Sequence, residues 1–224
     1  MAVVTISREV GSGGMYISRQ AAEILGYRLA DKAVIENVFK QYGFARFEKV
    51  YESVPGFWDQ FDEMRKGVIT FLDEVILALA RQGDIVIVGR GGFAVLAPFG
   101  DVLHVRIRAS FESRVRRLMA EKGMADEEEA RAFVQQSDRT RISFVEGEYH
   151  VRWDSNAAFD VVINTDKVAP ELAANWLVEA ARQLEERRDK PGPTTDTIQE
   201  DRVMAACVVE VLDRYGQERR GPGA

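Results

Sequence analysis

The sequence predicts a three-layer α/β/α fold built on a parallel sheet of about five strands. Three observations carry this. Short β-branched apolar runs alternate with helical periodicities along most of the chain. The run Ile85-Val86-Ile87-Val88 is apolar without alternation, as a strand covered on both faces requires. Two strands are followed directly by glycine-rich segments, Gly11-Ser12-Gly13-Gly14 and Gly89-Arg90-Gly91-Gly92. Both segments therefore fall at the carboxyl edge of the sheet, where folds of this class bind ligands.

The elements read in order as follows. Ala2 to Ile6 is a buried strand, and Ile17, Ala21, Ile24 and Leu25 mark the helix after the first glycine loop, stopped by Gly26. Tyr27 to Ala30 is a short second strand. Asp31 is placed to cap a helix carrying Val34, Ile35, Val38 and Phe39. A loop around Pro55-Gly56 precedes a long amphipathic helix through Phe61, Met64, Val68, Phe71, Leu72, Val75, Ile76 and Leu79, ended by Gly83. Val102 to Ile107 is a strand and residues 110–122 a helix. Asp126 to Gln136 and a second stretch from Asp138 read as two exposed helices, a polar excursion from the core. Phe159 to Ile163 is the last strand and Pro170 to Arg187 the last core helix. The predicted organisation is one α/β domain over 1–188 with a lid at about 123–152, a linker over 189–197, a helix over 198–216 and a flexible tail over 217–224. Val203, Cys207, Val208 and Leu212 share a face of that helix, which could pack on the core or join a second copy in a homodimer.

Composition narrows the function. A formal net charge of −6 argues against non-specific nucleic-acid binding, which depends on neutralising phosphates. Of the 30 basic residues 23 are Arg and 7 Lys, so small polyanions could still be held by a local arginine cluster. One cysteine, Cys207, allows neither an intrachain disulfide nor a cysteine metal site. His104 lies in an apolar run and reads as a packed strand residue. The start MAVVTISREV does not read as a signal peptide, and no stretch reaches the roughly 20 apolar residues of a membrane span. A cytoplasmic protein is expected.

The first glycine segment sits between a buried strand and a helix start. Backbone N–H groups there have no helical partner, and glycine lets the backbone approach an anion closely. The segment departs from the G-x-x-x-x-G-K-[ST] phosphate loop. Arg8 stands at the first glycine, Gly14 stands at the lysine, and Met15 and Tyr16 follow. The loop thus lacks a phosphate lysine and a Ser or Thr placed for Mg²⁺.

The stretch Thr5-Ile6-Ser7-Arg8-Glu9-Val10-Gly11-Ser12-Gly13-Gly14, followed by Gly26-Tyr27 and Asp31-Lys32, resembles the opening of the cytidylate kinase-like family. The resemblance spans about residues 2–185. It implies a P-loop fold of the nucleoside-monophosphate kinase type with a helical lid. Val88-Gly89-Arg90-Gly91 aligns with the family's DGRD-like strand end, with Val88 and Gly91 in place of its aspartates. Asp138-Arg139-Thr140-Arg141 resembles the end of the arginine-rich lid, with Val134 in place of an upstream arginine; family members often carry Arg at Met15.

The resemblance implies transfer of the γ-phosphoryl of ATP, with Mg²⁺, to a nucleoside monophosphate such as CMP or dCMP. Donor phosphates would sit on Gly11, Ser12, Gly13, Gly14, Met15 and Tyr16, with Arg8 supplying part of the missing charge or pairing with Glu9. Arg90 would hold the acceptor phosphate or rigidify its loop. Asp31 reads first as a helix cap and second as an acceptor contact. Arg141, Asp138 and Arg139 would act from the lid, the alternative for Asp138 and Arg141 being a solvated salt bridge. Arg114, Arg116 and Arg117 read as surface charges, although one could stack on the donor's adenine. The competing functions are a nucleotide sensor or assembly module without turnover, and a kinase for another small phosphate acceptor.

Overall fold

The structure, a computed structural model, describes residues 2–44, 51, 63–187, 189 and 191–220, the last three by their backbone alone. The expected loop at Pro55-Gly56, the start of the long helix at Phe61, Arg188 and the tail beyond Arg220 lie outside these residues.

Five strands form one sheet: β1 (Val3–Arg8), β2 (Arg28–Ala30), β3 (Ile85–Val88), β4 (Val102–Arg108) and β5 (Val161–Asn164). Their order is β2-β3-β1-β4-β5 and every pairing is parallel. The helices are α1 (Gly14–Leu25), α2 (Lys32–Gln41), α3 (Glu63–Arg81), α4 (Gly92–Val95), α5 (Phe111–Lys122), α6 (Glu127–Tyr149), α7 (Pro170–Glu186) and α8 (Arg202–Arg220).

Successive strand residues point to opposite faces, and the two faces divide the core. Val4, Ile6, Val86, Val88, Val105 and Ile107 pack against Ile17 and Ala21 of α1 and Ala174 and Leu177 of α7. On the other face Val3, Ile85, Ile87 and Val102 meet α2, α3 and α8. The α5–α6 pair keeps a separate small core of Val115, Leu118, Ala130 and Val134. This is the three-layer arrangement that the alternation of elements predicts.

Three details differ from the sequence reading. The two exposed helices are one, α6, running through Ser137 without a break and capped by Asp126, whose carboxylate accepts from the backbone N–H groups of Glu128 (2.9 Å) and Glu129 (3.4 Å). Polar composition suggested an interruption, yet no glycine or proline lies near Ser137 to make one. The stretch expected to be a linker is docked. Asp101, 4% exposed, accepts from the N–H of Thr195 at both carboxylate oxygens (2.9 Å each) and from its hydroxyl (2.7 Å). Gly100 N–H also donates to Pro193 O (2.8 Å). Finally, the C-terminal helix extends through Arg220, into the segment expected to be a tail. Its Met204, Cys207, Val208, Val211 and Leu212 are buried among α2, α3 and β2. Of the two placements the periodicity allowed, Cys207, Val208 and Leu212 take the one on the core of the same chain, while Val203, expected on that face, is 67% exposed. Each large side chain so placed contributes about 1.5–3 kcal/mol.

Two tests follow from these contacts. Asp101→Ala leaves Thr195 without its buried carboxylate, and chemical denaturation is expected to show a loss of about 2 kcal/mol. His104, 9% exposed with Nδ1 2.8 Å from Thr5 Oγ1, has its pKa held below 6.5 by burial, against the opposing field of Asp160. The unfolded chain therefore takes up this proton first. The stability involved is complete above pH 6.5 and declines as pH falls. Melting curves between pH 6.5 and about 5 are expected to show this slope, and His104→Asn to flatten it.

Candidate active site

The register of β1 on β3 builds the site. Ile6 lies opposite Val88, so Arg8 at the end of β1 and Arg90 just past β3 come from neighbouring strands at one edge of the sheet, within each other's field. Neither glycine segment could have been placed against the other from its own sequence; the strand order does it.

The loop after β1 is shaped by its own polar groups. Ser12 is fully buried; its N–H (3.3 Å) and its hydroxyl (2.7 Å) both donate to Glu9 O. Gly11 has φ +75°, and a Cβ there would lie 2.5 Å from Arg114 O, so only glycine lets the loop rest on the first turn of α5. Gly13, also left-handed, precedes the first turn of α1 and leaves that turn's N–H groups without a side-chain cap. A cavity of about 270 Å³ opens over these amides, lined among others by Arg8, Gly13, Gly14, Met15, Tyr16, Arg117 and Arg141. It is the size of a phosphate tail and smaller than a whole-nucleotide pocket. Two larger hollows, about 880 Å³ at the amino end of β4 and about 790 Å³ beside β2, have no buried arginine in their walls.

Three guanidiniums converge beside the loop. Arg90, 8% exposed, lies over the Tyr51 ring at 4.5 Å and near that of Phe144 at 5.9 Å; its backbone N–H donates to Tyr51 Oη (3.0 Å). Its Nη1 is buried and has no hydrogen-bond partner among the described residues. Burial holds the pKa of Arg141 down to about 10, and the fields of Arg8 and Arg90 push the same way. The pKa of Arg8 is lowered chiefly by burial; Tyr51 opposes this, Arg90 adds to it and Asp31 opposes it. Among the described residues no carboxylate forms a salt bridge with any of the three. A largely buried cluster of cations with no carboxylate salt-bridged to it among the described residues is a site for an anion supplied from outside.

The lid helix is fastened at both ends of this cluster. Arg114, buried in α5, grips Asp138 of α6 with two parallel bonds (2.9 and 2.7 Å), and its Nε lies 3.5 Å from Glu9 of the loop. Glu9 also accepts from the N–H of Ala109 (3.1 Å) and from Arg106 (3.4 Å). Farther along α6, Glu148 takes Nε (2.8 Å) and Nη2 (2.5 Å) of Arg65, and Tyr149 donates to Asp73 (2.8 Å). Tyr149 fills the space beside Gly91, where a Cβ would meet its hydroxyl at 2.5 Å. Room for an aspartate at position 91 is thus absent, as it is for an arginine at Val134, which is fully buried between α5 and α6.

The sequence-predicted residues divide accordingly. Arg8, Arg90 and Arg141 come together, with Gly11, Ser12, Gly13 and Gly14 beneath them. Asp138 is one turn from Arg141 but faces Arg114. Arg139 is exposed and stands apart from the cluster. Met15 packs toward the sheet, and Tyr16 is 46% exposed with its hydroxyl donated to Glu171 (3.0 Å). Asp31 is the cap of α2, accepting from Ala33 (3.0 Å) and Val34 (3.3 Å), and lies within the field of Arg8. Arg114 corrects the expectation of a surface charge, and so does Arg117, bound to Thr165 through its hydroxyl (2.8 Å) and carbonyl (2.7 Å). Thr165 in turn donates to Ser12 O (2.9 Å), tying the β5 end to the loop. Sequence reasoning missed Tyr51, and it offered Glu9 as a partner of Arg8, whereas Glu9 pairs with Arg106 and Arg114.

The donor set does not fit a resident metal ion. Among the described residues no three His, Cys, Asp or Glu side chains gather to hold one; of the two carboxylates that line the loop cavity, Glu9 and Glu121, the first is engaged by Arg106 and Arg114.

Fold and site together define a three-layer α/β protein with a glycine loop and an arginine cluster at the carboxyl edge of its parallel sheet. The sequence pattern of the cytidylate kinase-like family matches residues 3–167, and the chain belongs to that family. The cytidylate kinase of Ignicoccus hospitalis is 28% identical over 180 residues, 79% of this chain and 97% of that protein. The cytidylate kinase of Methanopyrus kandleri is 24% identical over 203 residues, 84% of this chain and 96% of that protein. An uncharacterized protein from Eubacterium ventriosum shares the fold, with a TM-score of 0.67 at 21% identity over 81% of this chain and 98% of that one. Among the described residues no helix is long and apolar enough to cross a membrane.

Removing Arg114 strands Asp138 and leaves Glu9 to Arg106 and the N–H of Ala109. Arg114→Ala is expected to cost about 3 kcal/mol or more in chemical denaturation, while the exposed Arg116→Ala stays within about 0.5 kcal/mol of the parent.

Proposed function

We propose that this chain transfers the γ-phosphoryl of ATP to a nucleoside monophosphate, with CMP or dCMP as the acceptor. The observation that carries the reading is the convergence of Arg8, Arg90 and Arg141 on a loop of free amides, with no carboxylate salt-bridged to them among the described residues. Membership of the cytidylate kinase-like family makes the chain a phosphotransferase by descent, and the names of its relatives suggest the acceptor.

The loop amides and Arg8 would cradle the donor phosphates. Arg90, standing on Tyr51, would take the acceptor phosphate through its guanidinium fork. Arg141 would approach from the lid and bear on the charge of the group in transfer. Phosphoryl transfer of this kind needs positioning and charge stabilisation and no side-chain nucleophile. Mg²⁺ enters with ATP as part of the substrate, carried by the donor's own phosphates. The bond from the γ-phosphorus to the bridging oxygen of ATP breaks, and one from that phosphorus to an acceptor phosphate oxygen forms.

The test is ADP release from MgATP against a panel of monophosphates, with ATP binding followed by calorimetry. Turnover confined to CMP and dCMP supports the reading. ATP binding without turnover on any acceptor identifies a sensor instead, and turnover only with a different acceptor overturns the choice of CMP. Arg90→Lys keeps the charge and loses the fork. It is expected to raise the acceptor KM about tenfold or more while ATP affinity stays within about twofold.

A further inference from the structure

Positions 8 and 14 cannot both carry a side chain. Gly14 opens α1 directly against the end of β1, and a Cβ built on it would lie 2.6 Å from Cβ of Arg8 and 3.0 Å from its Cγ. The strand backbone fixes Cβ of Arg8, so no rotamer relieves the contact. In the lysine-bearing loop the residue at the place of Arg8 is the first glycine, and the residue at the place of Gly14 is the lysine. Here the two are exchanged. The cation occupies the glycine's place and glycine the cation's.

We propose that this is a transposition: Arg8 does the work of the loop lysine from the strand side, and Gly14 is the change that makes room for it. The proposal rests on the phosphoryl-transfer reading and deepens it. A lysine at the helix start reaches the donor's β- and γ-phosphates alone. Arg8 also lines the loop cavity, but it stands beside Arg90 by strand register and within the fields of Tyr51, Asp31 and Arg141. The transposed cation therefore serves both phosphates at once, the donor's terminal group and the acceptor's.

Arg8→Gly, Gly14→Lys and the double variant test this, with AMP-PNP and CMP as separate probes and thermal melts for folding. Arg8→Gly is expected to weaken both ligands about tenfold or more. Gly14→Lys alone should melt lower and bind AMP-PNP poorly, because its new Cβ meets Arg8. The double variant should melt above Gly14→Lys and recover AMP-PNP affinity to within about threefold of the parent. Its CMP affinity should stay as weak as in Arg8→Gly. Should Arg8→Gly not fold, Arg8→Gln must show the same double loss, since it keeps the Cβ and loses the charge. Unimpaired binding of both ligands by a folded Arg8 variant overturns the transposition and leaves the phosphoryl-transfer reading standing. A folded double variant that binds AMP-PNP no better than Arg8→Gly overturns it too. A parent protein that binds neither nucleotide sinks the phosphoryl-transfer reading, and the transposition with it.

Discussion

Like charges crowded at a buried sheet edge are the constraint on which the rest of this structure depends. Parallel pairing of β1 with β3 puts Arg8 beside Arg90, and the lid brings Arg141 to them. The cost is legible in Arg141, whose pKa falls from 12.5 to about 10, mostly through burial and partly through its two neighbours. At about 1.4 kcal/mol per unit this is a penalty on the order of 3 kcal/mol on a single charged side chain. Such a cluster opens unless other contacts hold it.

Those contacts are the ion pairs around it. Arg114 binds Asp138 in two parallel bonds one turn of α6 before Arg141, and so fixes which way that face of the helix points. Removing one partner of a buried pair costs about 3–5 kcal/mol because the other charge is left unmatched, so the pair holds α6 in one orientation. The far end of the same helix is held by Arg65 on Glu148 and Tyr149 on Asp73. Glu9 completes the frame by joining the phosphate loop to Arg114 and Arg106. The arginines divide into two sets: those paired with carboxylates hold the structure, and those facing one another make the site.

That division explains what could be read from the sequence. The strands and both glycine segments were legible because apolar periodicity and turn chemistry are local; Arg90 and Arg141 were marked only by the family resemblance, and they do lie within one another's field and that of Arg8. Arg114 and Arg139 were not separable in advance. Each is an arginine on a polar helix, and only the packing of α5 on α6 buries the first and leaves the second exposed. Asp138 was misdirected for the same reason: spacing on α6 joins it to Arg141, while its partner comes from an element 24 positions earlier. The C-terminal helix showed its apolar face plainly, but no periodicity could say that α2, α3 and β2 of the same chain would cover it.

The arrangement also bears on how binding energy would be used. A cluster assembled during folding meets its anion without reorganising, and this is the condition under which fixed charges stabilise a transition state. Cations gripping only the donor's tail would favour bound substrate and transition state alike and leave the chemical step unchanged. On the proposed reading Arg8 and Arg141 would instead lie between the donor at the loop cavity, which both line, and the acceptor at Arg90, whose field reaches both. Charge that shifts toward that gap during transfer meets them more strongly than charge at rest on either side. In the proposed transfer the like-charge strain accepted in folding would therefore be relieved most when the phosphoryl group lies midway, and the stability spent on the cluster would be returned at the step that needs it.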